Sequence, residues 1–117
     1  MNKQRRSKQR HRGYENMTAV RDALKGAGFN CWHTGTRERG WSIKTTPGYM
    51  VALNGADSAE HMKNIEDRIA EDLTVARRVA EQFPGVTVRR SIANLYRQGR
   101  PWKWHNVVVH VPFGGLS

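Results

Sequence analysis

The sequence predicts an α+β domain: a two-layer structure in which a mostly antiparallel sheet of about five strands carries two helices on one face, in the order α-β-β-β-α-β-β. Three observations predict it. A run of 26 residues from Ser58 to Phe83 repeats its apolar side chains at helical spacing. The segments on either side of it are short, rich in β-branched and aromatic residues, and alternate with period two. Tight turn signals join consecutive strands, which makes neighbours antiparallel. With 117 residues there is room for one domain, and for a core that needs no disulfide or metal to hold it.

Taken in order, residues 1–13 are polar after Met1 and cannot bury a face. They read as disordered when free. The basic, flexible arm is placed at residues 1–15 and the folded domain at 16–117. Asn16 to Ala27 is a short helix with Met17, Val20, Leu24 and Ala27 on one side, Asn16 as candidate N-cap, and Gly26 or Gly28 at its end. Phe29 to Thr34 is a strand, with Phe29, Cys31 and His33 on one face and Asn30, Trp32 and Thr34 on the other. A glycine-bounded loop over residues 35–40 leads to a second strand, Trp41 to Thr46. Pro47-Gly48 signals a turn, because proline presets its first central position and glycine accepts positive φ at the second. Tyr49 to Leu53 is the third strand.

The long helix follows. Met62, Ile65, Ile69, Leu73, Ala76, Ala80 and Phe83 form its apolar stripe, and charged residues fill the opposite side. Asp57 is the predicted N-cap, with Glu60 reaching back in a capping box. Pro84-Gly85 ends the helix. Val86 to Tyr96 is extended, Gln98-Gly99-Arg100-Pro101 is a turn, and Trp102 to Val111 is the last strand, with Val107, Val109 and Val111 on one face.

Charge narrows the function. The net charge is +10. Residues 1–12 carry six Lys/Arg and no acid, residues 13–83 carry nine bases and ten acids, and residues 84–117 carry five bases and no acid. The excess therefore sits at the two ends of the chain. Such a balance points to polyanionic partners, RNA or DNA, or to an acidic protein partner. No apolar run approaches the roughly 20 residues that span a bilayer. No apolar region follows the basic N-terminus, which argues against a secretory signal. No helix has a basic polar face, so no membrane-surface role is expected. The single cysteine, Cys31, excludes an internal disulfide and fits a cytoplasmic location.

The candidate nucleic-acid-binding residues fall in three groups. Lys3, Arg5, Arg6, Lys8, Arg10 and Arg12 of the arm can lie along phosphates. Arg37 and Arg39 form a second group beside Trp41. The C-terminal hairpin supplies Arg89, Arg90, Tyr96, Arg97, Arg100, Trp102, Lys103 and Trp104. Cations hold phosphates, and flat rings stack on unpaired bases. A basic hairpin can also enter a groove as a two-stranded ribbon. Trp102 and Trp104 share one side of a strand, so the bland reading is that either or both are core. The two ends of the chain are expected to share one outer surface with open rings among them.

Other chemistry has little to stand on. Cys31 and His33 share a strand face, but two ligands do not make a zinc site, and no metal or cofactor is expected. His33 or His105 is a conceivable general base for RNA cleavage. Glu60, Asp67 and Glu71 lie near one another on the long helix, where spacings of four between Lys63 and Asp67 or Arg68 and Asp72 read as surface ion pairs.

The order α-β-β-β-α over residues 16–83 resembles the double-stranded-RNA-binding fold and the small HicA-type toxin ribonucleases. Leu24-Lys25-Gly26-Ala27-Gly28-Phe29, running from helix into strand, is similar to the HicA pattern. That resemblance implies a catalytic histidine just after a glycine near the second strand, where this chain has Gly40-Trp41-Ser42. It also implies, for the RNA-binding fold, a lysine cluster opening the second helix, where this chain has Ala59-Glu60-His61-Met62-Lys63. Neither family's functional residues carry over. The expectation is a non-catalytic nucleic-acid-binding protein. The alternatives are an interaction module, such as an inhibitor or assembly factor that binds an acidic protein, and a small ribonuclease. Oligomeric state is not legible in the sequence.

Overall fold

The computed structural model describes residues 3–36, 39–52, 55 and 57–113, with side chains described from Gly13 onward except at residues 35 and 36. The elements are α1 (Lys3–Gly26), β1 (Asn30–Thr36), β2 (Gly40–Thr46), β3 (Tyr49–Ala52), α2 (Ala59–Ala80), β4 (Thr87–Arg97) and β5 (Arg100–Pro112). All five strands join one antiparallel sheet, and both helices pack on the same face of it. The predicted class and element order are those observed.

Helix α1 starts at Lys3, so Asn16 is interior rather than an N-cap. Residues 3–12 are mostly Lys, Arg and Gln, which are good helix formers. Extending a helix already held by Met17, Val20 and Leu24 costs less than nucleating one. Its other end closes at Gly28, which takes φ +105°. The Gly28 N–H bonds to Lys25 O at 3.0 Å and the Phe29 N–H to Leu24 O at 3.1 Å, with Phe29 and Leu24 in the same core cluster. Halfway along α1, Gly13 lies against the backbone of Phe113, where a Cβ would not fit.

Helix α2 buries Ile65, Ile69, Ala76, Val79 and Ala80. Its N-cap is Ser58, whose hydroxyl accepts the His61 N–H at 3.1 Å. Asp57, the predicted cap, instead accepts the Ala52 N–H at 2.7 Å and so ties the end of β3 to the start of α2. The helix stops at Ala80, three residues short of Phe83, which remains half-buried against the core. One cluster joins Met17, Val20 and Leu24 of α1 to Ile43, Val107, Val109 and Val111 of the sheet and to Ala76 and Val79 of α2. A second joins Val51 to Ile65 and Ile69, with Leu73 packed on both.

Pro47-Gly48 does not reverse the chain. β2 pairs β5 from Gly40↔Pro112 to Lys44↔Val108, and β3 pairs the same edge of β5 from Tyr49↔His105 to Ala52↔Trp102. From Lys44 to Tyr49 one strand advances five residues while β5 advances three, from Val108 to His105. Thus β2 and β3 are one strand interrupted by a two-residue bulge. The turn signal is real, since proline offers no N–H to the ladder, but it marks a bulge. Side chains fill the gap: Thr45 Oγ1 donates to Val107 O at 2.8 Å, and Asn106 Nδ2 donates to Thr45 O at 3.3 Å. Because β2 and β3 do not pair with each other, the sheet departs from what the element order alone implies. β5 lies between β4 on one edge and β2–β3 on the other.

Thr45→Val should lower stability by about 1–3 kcal/mol, since it leaves the Val107 carbonyl buried without its donor. Ile69→Ala should cost about 2–5 kcal/mol. Urea unfolding checks both, and midpoints equal to the parent would contradict the packing described.

Candidate functional site

Side chains of an antiparallel pair that face each other in register share one face of the sheet. Val107, Val109 and Val111 point to the helices, so the even-numbered residues of β5 point away from them. On that helix-free face one row reads Trp32, Lys44, Val108 and Arg89 across β1, β2, β5 and β4. The row beside it reads Thr34, Ser42, His110 and Thr87. Towards the hairpin the rows are Met50, Trp104 and Ala93, then Ala52, Trp102 and Leu95. The Arg97–Arg100 pair completes the face at the tip.

Trp32 is 42 % exposed, while Trp102 and Trp104 are partly buried. The rings are thus neither core nor fully free. The Trp104 indole lies over Gly48 and the His110 imidazole over Gly40; a Cβ at either glycine would collide with the ring. Val108 is 2 % exposed although no helix covers this face. Lys44 and Arg89 flank it in register, and their aliphatic stems can cover it while the charged ends stay in water.

The two layers differ in where their acids sit. The five strands hold Lys44, Arg89, Arg90, Arg97, Arg100 and Lys103 and no Asp or Glu. Helix α2 holds Glu60, Glu66, Asp67, Glu71 and Asp72, together with Lys63, Arg68, Arg77 and Arg78. At the hairpin tip, Gln98 and Gly99 both take positive φ, 55° and 73°, the requirement of a two-residue type I′ turn. That places Arg97 directly across from Arg100, both exposed. Among the described residues neither has a carboxylate partner, and like charges facing across strands repel. Tyr96 Oη donates to Gly99 O at 3.0 Å and Trp102 Nε1 to Arg97 O at 3.4 Å, which hold the tip in shape.

The sequence-predicted residues are therefore divided. Arg89, Arg97, Arg100, Trp102 and Trp104 come together on the helix-free face. Arg90 and Lys103 point to the helix side. Arg90 is committed there: its Nη1 and Nη2 each donate to Glu66 at 2.7 Å, and its Nη2 lies 2.7 Å from His105 Nδ1. Tyr96, 73 % exposed, also projects on the helix side, with Ile92 at 54 %. Arg39 is exposed beside the β1–β2 connection, at φ 54°. Arg37 and the side chains of Lys3, Arg5, Arg6, Lys8, Arg10 and Arg12 lie outside the described residues. The arm's backbone leads away from Gly13, which touches Phe113 just past the end of β5, whereas the hairpin tip precedes its start. Gly13 and the hairpin tip thus lie at opposite ends of β5. Lys44 and Trp32, which the sequence reading did not select, occupy the face between them. Their signal was the alternation of β2, where Trp41 and Ile43 point inward and Lys44 outward.

The two candidate histidines have structural partners. His33 packs edge-on against Tyr14 and Trp41, with ring centroids 5.9 and 5.4 Å away. His105 is buried, and burial followed by the charge of Arg90 holds its pKa below the ordinary 6.5. Its Nδ1 accepts from Arg90, so it is not an open base. The Arg90 hydrogen bonds hold the Glu66 carboxyl below the ordinary value. On the same side, burial and the 2.8 Å hydrogen bond to Asp72 push the Tyr49 phenol up to about 12, so β3 and α2 stay joined at neutral pH. Comparison of the chain with protein-family models, curated proteins and solved structures gives no match.

The Glu66–Arg90–His105 cluster has a pH signature. Both His105 and Glu66 have folded pKa values below their unfolded ones, so the unfolded chain binds more protons as pH falls. Their contribution is complete above about pH 6.5, declines below it as unfolded histidine protonates, and declines further below the ordinary carboxylate value of 4.5. In His105→Gln the decline should begin only in the carboxylate range. Thermal midpoints measured across pH check this, and an unchanged acid limb would contradict it.

Proposed function

We propose that the protein binds nucleic acid, without catalysing a reaction, through the helix-free face of its sheet. The observation that carries this reading is that the strands hold six cations and no carboxylate, and that four of those cations, Lys44, Arg89, Arg97 and Arg100, lie on the helix-free face, whereas the acids of α2 sit among its own four cations in the other layer. A face of that kind attracts polyanions, and the helical layer turns its acids elsewhere. Lys44, Arg89, Arg97 and Arg100 supply phosphate contacts, and Trp32, Trp102 and Trp104 supply flat surfaces among them. The arm adds six cations before Gly13. Among the described residues no helix is long and apolar enough to cross a membrane. A cytoplasmic location, where a lone thiol persists, belongs to the same proposal.

One observation favours a second reading. Ile92 and Tyr96 are exposed on the helix side of the hairpin, where they suit a protein partner better than a phosphate backbone. An acidic partner would engage that side together with the neighbouring basic tip. Purification separates the readings: nucleic acid that co-purifies at low salt and washes off at high salt supports the first.

Binding of a labelled random oligonucleotide, followed by anisotropy over a salt series, tests the proposal. Affinity should fall steeply with salt. Lys44→Ala/Arg89→Ala should weaken binding and reduce the slope of log K against log salt by about 1.4–1.8, the loss of two phosphate contacts. Lys63→Ala/Arg77→Ala removes the same charge from the exposed side of α2 and should leave affinity within about twofold. Equal effects of the two double variants would contradict the assignment of the face.

A further inference from the structure

Given the nucleic-acid reading above, on which this rests, we infer that the helix-free face takes an unpaired strand rather than a duplex. The order of side chains along β5 is the first argument. From the hairpin tip it runs Arg97 with Arg100, then Trp102, then Trp104, then the row of Lys44 and Arg89 with Trp32 at its end. Cations at either end thus bracket two adjacent rings, with the Asn106–Ser91 row between Trp104 and the row of Lys44 and Arg89, over the eight steps of β5 from Arg100 to Val108, or about 26 Å at 3.3 Å per step. A single strand can offer phosphates to the cations at either end and separable bases to the rings between them. In a duplex the bases are already stacked on one another and their faces are closed to a side-chain ring.

The second argument is the seating of the rings. Trp104 lies over Gly48, a position where any larger residue would lift it, so one side of the indole is backed by the chain while the residue stays partly exposed. A backed ring is a platform whose orientation costs no further entropy when a base stacks on it. Nothing of this kind is needed to contact a phosphate.

The third argument concerns the groove. Entry into a major groove of about 12 Å suits a two-stranded ribbon. Here β3 extends the sheet beside β5 as far as Ala52↔Trp102, so at both tryptophans the sheet is already three strands wide. Three strands place the outer axes about 9.6 Å apart before any side chain is added. Only the short tip beyond Trp102 is two-stranded, too little to read a groove.

The test compares labelled oligonucleotides of about 12 nucleotides, within the usual site sizes of single-strand binders, as RNA and DNA, each unpaired and as a blunt duplex. The unpaired form should bind at least tenfold tighter than its duplex in one sugar series or both, and should quench tryptophan emission. Trp104→Ala should weaken unpaired-strand binding roughly 5- to 150-fold, the range of one base–ring stack, and leave the salt slope unchanged. Trp104→Phe should recover part of that affinity. Gly48→Ala, which leaves every cation and ring in the sequence, should also weaken it. A melt of each variant checks that the fold persists, and should Gly48→Ala or Trp104→Ala unfold, the parent's strand preference alone decides. Duplexes bound as tightly as unpaired strands would overturn the inference while leaving nucleic-acid binding intact. No binding of any of the four at low salt would defeat the underlying reading instead.

Discussion

The two-residue bulge at the junction of β2 and β3 governs how the rest of the molecule presents its side chains. Because strand side chains alternate, one extra residue would send all of β3 to the wrong face. Two extra residues restore the phase. Tyr49 and Val51 therefore meet α2 beside His105 and Lys103, and Met50 shares the open face with Trp104. The Thr45 and Asn106 hydrogen bonds replace ladder bonds lost at the bulge and fix where it occurs. They also leave Gly48 under the Trp104 ring. A sheet with a true hairpin at Pro47-Gly48 would carry β3 elsewhere and leave that edge of β5 unpaired beside the tryptophans.

Charge follows from the same layering. The carboxylates of α2 are on the helical side, where Glu66 holds Arg90 and Asp72 holds Tyr49. Arg89 and Arg90 are neighbours in sequence but opposite in role, since one faces the open side and the other is tied to α2 and His105. The strands contribute no opposing acid, so Lys44, Arg89, Arg97 and Arg100 face solvent without a local counter-charge from the sheet. That arrangement favours an anionic ligand on the open face, and the exposed Arg97–Arg100 pair would be relieved by one.

Much of the architecture was legible in the sequence. The period of the α2 stripe, the valines of β5 and the glycine after α1 each reflect local physics that the tertiary structure does not override. The Pro47-Gly48 signal was misread because a bulge and a reversing turn use the same residues; the difference is made by Val107, 62 positions away from Thr45. The α2 cap was misplaced by one residue because Asp57 and Ser58 are both good caps, and only the loop to Ala52 decides between them. At the candidate site, the shared side of Trp102 and Trp104 was readable from alternation. Which side the helices would cover was not, and without it Lys44 looks like any surface lysine and Arg90 like any free cation.

The account rests on the helix-free face being the surface that meets nucleic acid. Nuclear magnetic resonance titration of the protein with an oligonucleotide at low salt tests that most directly. The account predicts that the indole N–H signals of Trp32, Trp102 and Trp104 and the amides of β5 shift first, while the exposed positions of α2 stay still. Shifts concentrated on α2, with those three indoles unmoved, would contradict it.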